Sequence, residues 1–124
     1  MNVVDSSGWI EYFINGANAD FFSTPIQDSE NLIVPTICIY EVFKRVLLKL
    51  GDDRALKTIG QMSLTTVVDL DRSIAIQAAQ ISLETKLAMA DSIILATARK
   101  YDATLWTQDE HFKDLEGVHY IEKK

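Results

Sequence analysis

The feature that most constrains the fold is an alternation. Short runs rich in β-branched and apolar residues, "NVVD", "NLIVP", "TTVVDL", "ATLWT" and "GVHYIE", are separated by longer segments whose apolar residues recur at helical spacing. Strands separated by helices cannot be joined as hairpins, so they call for crossover connections and parallel pairing. The pattern predicts one α/β domain over residues 1–124, layered α/β/α around a mostly parallel central sheet.

The intervening segments carry their own punctuation. "SSGWIEYFING" reads as a helix closed by Gly16, with Trp9, Ile10, Phe13 and Ile14 on one face. Residues 18–28 read as a short second helix interrupted at Pro25. Pro35 ends the second strand, is tolerated at a helix start, and opens a helix from Thr36 to Leu50 with Gly51 beyond its end. A further helix is expected over 52–63. Two more, over 72–85 and 90–101, are joined by "KLAM", and "DEHF" reads as a single helical turn.

Composition narrows the function class. The longest apolar runs fall far short of the ~20 residues that a membrane span needs. "MNVVDSSGW" has neither the basic nor the apolar region of a signal peptide. Cys38, the single cysteine, has no internal partner, and its neighbours Ile37 and Ile39 point to burial. A soluble cytoplasmic protein without a membrane partner is the expectation. Twelve basic residues against 18 acidic ones leave a net charge of −6. That disfavours a general nucleic-acid binder, because phosphate contacts need local positive charge. It leaves open an enzyme that cuts nucleic acid with metal ions, whose acids are partly neutralised by the ions they hold.

Four acids fall at similar structural addresses. In open parallel sheets, sites form outside the carboxyl ends of the strands. Asp5 ends the first predicted strand, and Asp109 follows the strand ending at Thr107. Asp91 heads the helix that runs back into that strand, and Glu41 lies in the second turn of the helix after the second strand. Each also has a plainer explanation. Asp5 and Asp91 suit helix capping, and "TQDE" suits a capping box of Thr107 and Glu110. Glu41, Lys44, Arg45 and Lys49 form a polar stripe that a solvated face with a Glu41–Arg45 pair would explain. The same stripe would serve equally to set positive charge beside a carboxylate pocket for a phosphate chain, and spacing does not separate the two.

The chemistry gives a reason for such a cluster. Two carboxylates about 4 Å apart repel by roughly 4 kcal/mol at an effective dielectric near 20, so an apposed set protonates or recruits a cation. Oxygen ligands without a His or Cys cluster favour a hard ion, magnesium or manganese. Such ions activate water and stabilise a leaving oxygen in phosphodiester cleavage.

The segments "VVDSSGWIEYF", "VPTICIYEVFKRVL", "AMADSIILATARKYDATLWTQDEHF" and "LEGVHYIE" resemble the PIN-domain family, and within it the VapC-like toxins of type II toxin–antitoxin pairs. The resemblance runs from Asn2 to Glu122 and holds the four acidic motifs in family order. It implies a three-layer PIN fold whose acidic pocket is formed by Asp5, Glu41, Asp91 and Asp109. Asp5 and Asp91 would be the main ligands of magnesium or manganese, with Glu41 and Asp109 as ligands or water-orienting groups. Ser6 and Thr107 match the family's polar positions beside the pocket. The implied activity is endoribonuclease cleavage of RNA, restrained by a cognate antitoxin, in a protein that forms homodimers. "TKLAM", before Asp91, departs from the family in lacking the Gly or Pro often found there.

Other residues weigh less. His111 and His119 belong to no ligand-like spacing and read as surface or turn groups. Trp9, Tyr12, Phe13, Phe43 and Trp106 suit the core, whereas adjacent Phe21 and Phe22 suggest a partner surface. Lys44, Arg45 and Lys49, with Arg54 and Lys57, suit either a solvated face or an RNA track. Two rival readings stay open. One is a phospho-receiver domain with its acceptor in "VVDLD", at Asp69 or Asp71, and Thr107 as switch hydroxyl. The other is a PIN fold that binds RNA or protein without catalysis.

Overall fold

Five strands form one sheet in the computed structural model, which describes residues 1–124. They are β1 (Asn2–Val4), β2 (Leu32–Pro35), β3 (Thr66–Val68), β4 (Thr104–Thr107) and β5 (Val118–Tyr120), in the order β3-β2-β1-β4-β5. Every pairing is parallel, with Val3 opposite both Ile33 and Leu105. The expected mostly parallel sheet is thus wholly parallel. The central strands are buried on both faces, which is why their sequences are near-continuous apolar runs. The outer strands β3 and β5 have three residues each, leaving little free edge for pairing with another chain.

The helices are α1 (Ser6–Phe13), α2 (Ala19–Gln27), α3 (Thr36–Leu50), α4 (Asp52–Met62), α5 (Arg72–Thr85) and α6 (Met89–Lys100). They pack in consecutive pairs, α1 with α2, α3 with α4 and α5 with α6. The chain steps outward from β1 to β3 and then returns across β1 to β4, so helices cover both faces of the sheet in a three-layer α/β/α arrangement. The order reverses between β1 and β4. That is the switch point at whose carboxyl-end crevice ligands bind in open α/β sheets.

Helix α6 explains its own composition. Ser92 through Ala98 are all buried, so this helix passes through the core instead of presenting one stripe to it. Its two interior hydroxyls are satisfied locally, Ser92 Oγ donating to the Ala88 carbonyl at 2.6 Å and Thr97 Oγ1 to the Ile93 carbonyl at 2.8 Å. Gly8 is required by close approach, because a Cβ there would lie 2.5 Å from Phe22 Cε1 and 2.8 Å from Val4 Cγ1. None of the helices is long and apolar enough to cross a membrane.

Several local expectations are corrected. Helix α1 stops at Phe13, not Gly16, because Asn15 takes the left-handed turn at φ 53°, a conformation Asn tolerates. Helix α2 runs through Pro25, which is buried and costs the helix a single backbone bond. Phe21 and Phe22 do not leave a partner surface. Phe22 is fully buried, and Phe21 packs edge-on against it and against His119 and at a tilt against Trp106. The receiver reading fails on topology, since that fold orders its strands 2-1-3-4-5 with the third at the centre. Here β3 is an edge strand. Asp71 instead caps α5, accepting from the Ile74 N–H at 2.8 Å, and pairs with Lys100 Nζ at 2.7 Å.

Candidate active site

Asp5 is set by the exit of β1 into α1. It is the N-cap of that helix and is only 4% exposed. Oδ1 accepts from the Ser6 N–H at 2.8 Å, and Oδ2 accepts from Ser7 Oγ at 3.0 Å and from Thr107 Oγ1 at 2.9 Å. Capping and a place on the candidate site therefore fall on one side chain. Burial, with Asp91 and Asp109 adding like charge, pushes its pKa up to about 7 against the pull of the Thr107 and Ser7 hydroxyls.

Glu41 arrives from α3, and its Oε1 accepts from Ser6 Oγ at 2.7 Å. The ion pairs of the molecule are Lys100–Asp71 and His111–Asp109, so the Glu41–Arg45 pair of a simple solvated stripe does not form. Asp91 sits in the first turn of α6 but does not cap it. The cap position is Ala88, and the Asp91 carboxylate takes no part in the side-chain hydrogen bonds of the loop around it, which run among Ser82, Thr85, Leu87, Ala88 and Ser92. Burial, then Asp109 and Glu41, push the Asp91 pKa up to about 6, with His111 opposing.

Asp109 lies just beyond β4. The capping box of Thr107 and Glu110 is not formed. Asp109 itself caps the 3-10 turn Glu110–Phe112 by accepting from the His111 N–H at 3.0 Å. The Thr107 hydroxyl, drawn toward Asp5, accepts instead from the Asp109 N–H at 3.0 Å.

All four acids line one open cavity of about 390 Å³, together with Ser6, Lys44 and Arg45. Lys49, on the same helix, does not line it. The close group is narrower: ligand atoms of Asp91, Asp109 and His111 all lie within 4.8 Å of one another, and Asp5 and Glu41 stand outside that group. Two partners of the acids lie outside the expected site set: Ser7, readable in "DSS", and His111, which the sequence places as a surface or turn group and which here lies against Asp109.

Counting acceptor positions tests whether a cation fits. A carboxylate has about four lone-pair sites. Three are taken at Asp5, leaving one. Glu41 Oε2 and Asp109 Oδ2 have no donor, and neither has Asp91. The oxygens left over belong to acids that repel one another where water is partly excluded. Such a set fits a hard divalent cation.

The family model described as the PIN domain matches residues 3–118. No curated protein matches the chain. Among solved structures, a toxin–antitoxin complex from Klebsiella pneumoniae superposes with a TM-score of 0.82 at 22% identity, covering 96% of each chain. VapC20 of Mycobacterium tuberculosis, a sarcin–ricin-loop-cleaving toxin, gives 0.78 at 15% identity over 95% of this chain and 97% of that one. The DNA-bound VapBC of Salmonella typhimurium gives 0.75 at 17% identity over 98% of each. At these identities the superpositions establish the fold. With a family model spanning nearly its whole length, the chain belongs to the PIN-domain family.

Proposed function

We propose that the protein is a metal-dependent endoribonuclease, the toxin of a VapBC-like type II toxin–antitoxin pair, hydrolysing RNA phosphodiester bonds with magnesium or manganese. The observation that carries this reading is the cavity at the β1/β4 switch point, where four carboxylates meet and two of them are held at about 7 and about 6 by burial and mutual repulsion. The PIN family match and the likeness to toxins of toxin–antitoxin complexes support it. The partners in this reading are an RNA substrate, a cognate antitoxin and a second copy of the chain.

Each residue has a task that its contacts suit. A divalent cation bound here would supply Lewis acidity, lowering the pKa of a water and offsetting charge on the phosphate. Asp5 and Asp91 would hold it, with Asp109 and Glu41 completing the oxygen set. Ser6 orients Glu41, and Thr107 orients Asp5 while steadying the Asp109 backbone. Lys44 and Arg45 stand on the cavity wall, where a phosphate chain needs positive charge.

The test uses ribonuclease-free protein on a labelled mixed RNA pool with magnesium, manganese or EDTA. Cutting is expected with either ion and not with EDTA. Asp5→Asn and Asp91→Asn should each reduce it on the order of a hundredfold or more. Cutting that persists in both variants overturns the assignment of the site.

A further inference from the structure

Asp109 stands on the wall between two cavities. One holds the four acids. The other, lined in part by Gln108, His111, Tyr120 and Lys123, opens on its far side. His111 reaches back from that second cavity. Its Nδ1 lies 2.8 Å from Asp109 Oδ1, and its ligand atom joins those of Asp91 and Asp109 within the 4.8 Å group. The imidazole is otherwise exposed, at 73% of its side-chain surface, so no apolar packing holds it there.

We infer that His111 is a direct ligand of the divalent cation, giving this site one nitrogen among its carboxylate oxygens and a bias toward manganese over magnesium. The inference rests on the metal-dependent reading above and adds a ligand that the four-acid set lacks. The geometry is suited to it. Neighbouring ligands on an octahedral ion with bonds of about 2.1 Å stand roughly 3 Å apart, close to the observed nitrogen–oxygen separation. The backbone helps as well, since the His111 N–H donates to Asp109 Oδ1 and fixes both residues on one 3-10 turn. Asp91, which has no hydrogen-bond partner, supplies the third ligand from the opposite element, α6. Carboxylates alone serve magnesium and manganese alike, whereas an imidazole nitrogen binds a first-row transition ion such as manganese better than the harder magnesium.

The chain contains two histidines, which makes the test unambiguous. The second, His119, packs its ring on Trp106 and Phe21. Substoichiometric Mn²⁺ is added to the full-length protein, and pulsed electron paramagnetic resonance reads hyperfine coupling to imidazole nitrogen. Coupling is expected in the unmodified protein and in His119→Ala, and it is lost in His111→Ala. Titration should give a Kd for Mn²⁺ raised at least about tenfold in His111→Ala, with a smaller change for Mg²⁺. Bound manganese with no nitrogen coupling, or coupling that survives His111→Ala, overturns the ligand assignment and leaves the metal site standing. Failure of the unmodified protein to bind Mn²⁺ at all overturns both. The exposed position of His111 leaves the fold intact in the variant, which circular dichroism checks.

Discussion

Asp91 differs from the other acids in having nothing to accept from. Asp5 accepts three hydrogen bonds and Glu41 one, and Asp109 accepts from its own turn, while Asp91 is half-buried against two other carboxylates. Its pKa and that of Asp5 rise from 3.8 to about 6 and about 7. Across that window the folded chain holds protons that the unfolded chain has released, so stability of the metal-free protein falls as pH rises through it. Asp91→Asn removes one repelling charge without removing a bond. It should stabilise the metal-free protein above pH 7 by at most about 1 kcal/mol, a figure discounted for the half-exposed site, and the gain should vanish near about pH 4. Urea melts in EDTA at the two pH values measure this. Equal stability of the two proteins at high pH would mean that the repulsion is relaxed by solvent. The same substitution should impair RNA cutting, so stability and activity move in opposite directions at one residue.

The loop between α5 and α6 does at the scale of an element what Asp91 needs. The left-handed residue is Lys86, at φ 65°, a conformation that glycine adopts without cost. Its N–H donates to the Ser82 carbonyl at 2.8 Å, and Ser82 Oγ donates to the Leu87 carbonyl at 2.8 Å, so the turn is bonded through despite its strained residue. Lys86→Gly relieves the left-handed cost but loosens the unfolded chain, and the balance should be a stabilisation of about 1 kcal/mol or less. A thermal melt reads the sign, and a lower Tm would show that the lysine side chain makes up for its backbone. The departure at "TKLAM" is therefore one of local strain, and α6 still delivers Asp91 to the cavity. Elements of this kind were legible because their signals are local: β-branched runs, Pro35 before α3, the apolar stretch of α6. Helix ends were less so. Nothing in "NGANA" says that Asn15 turns the chain ahead of Gly16, and "TQDE" scores as a capping box until the Thr107 hydroxyl is seen to face Asp5.

For the whole molecule, what was legible was the class and the rim on which the acids stand, because strand ends set both. Strand order was not, since the sequence of elements is the same whether the third strand lies at the centre or the edge. The joining of His111 to Asp91 was hidden for a similar reason: twenty residues and a strand separate them, and only the closed sheet makes them neighbours. In the proposed metal-dependent reading, the acidic cavity also ties stability to metal. An ion that binds only the folded chain at a hundredfold excess over its Kd adds about 2.7 kcal/mol. Mn²⁺ should therefore raise Tm in a concentration-dependent way, EDTA should reverse it, and Asp5→Asn should abolish the response. A Tm indifferent to Mn²⁺ in the unmodified protein would argue against tight binding.

The strand order has a consequence for how such a protein is made. Asp5 is synthesised about a hundred residues before Asp109, yet they follow adjacent strands, and β1 finds β4 only after that length of chain has intervened. A parallel sheet built from such distant pairings closes slowly, since the long loop must be ordered before its contacts reward it. Until β4 docks, the nascent chain has no Thr107 to orient Asp5 and no Asp109 beside it. In the proposed reading, a growing polypeptide of this design stays harmless to the RNA around it until β4 has docked and brought Thr107 and Asp109 beside Asp5.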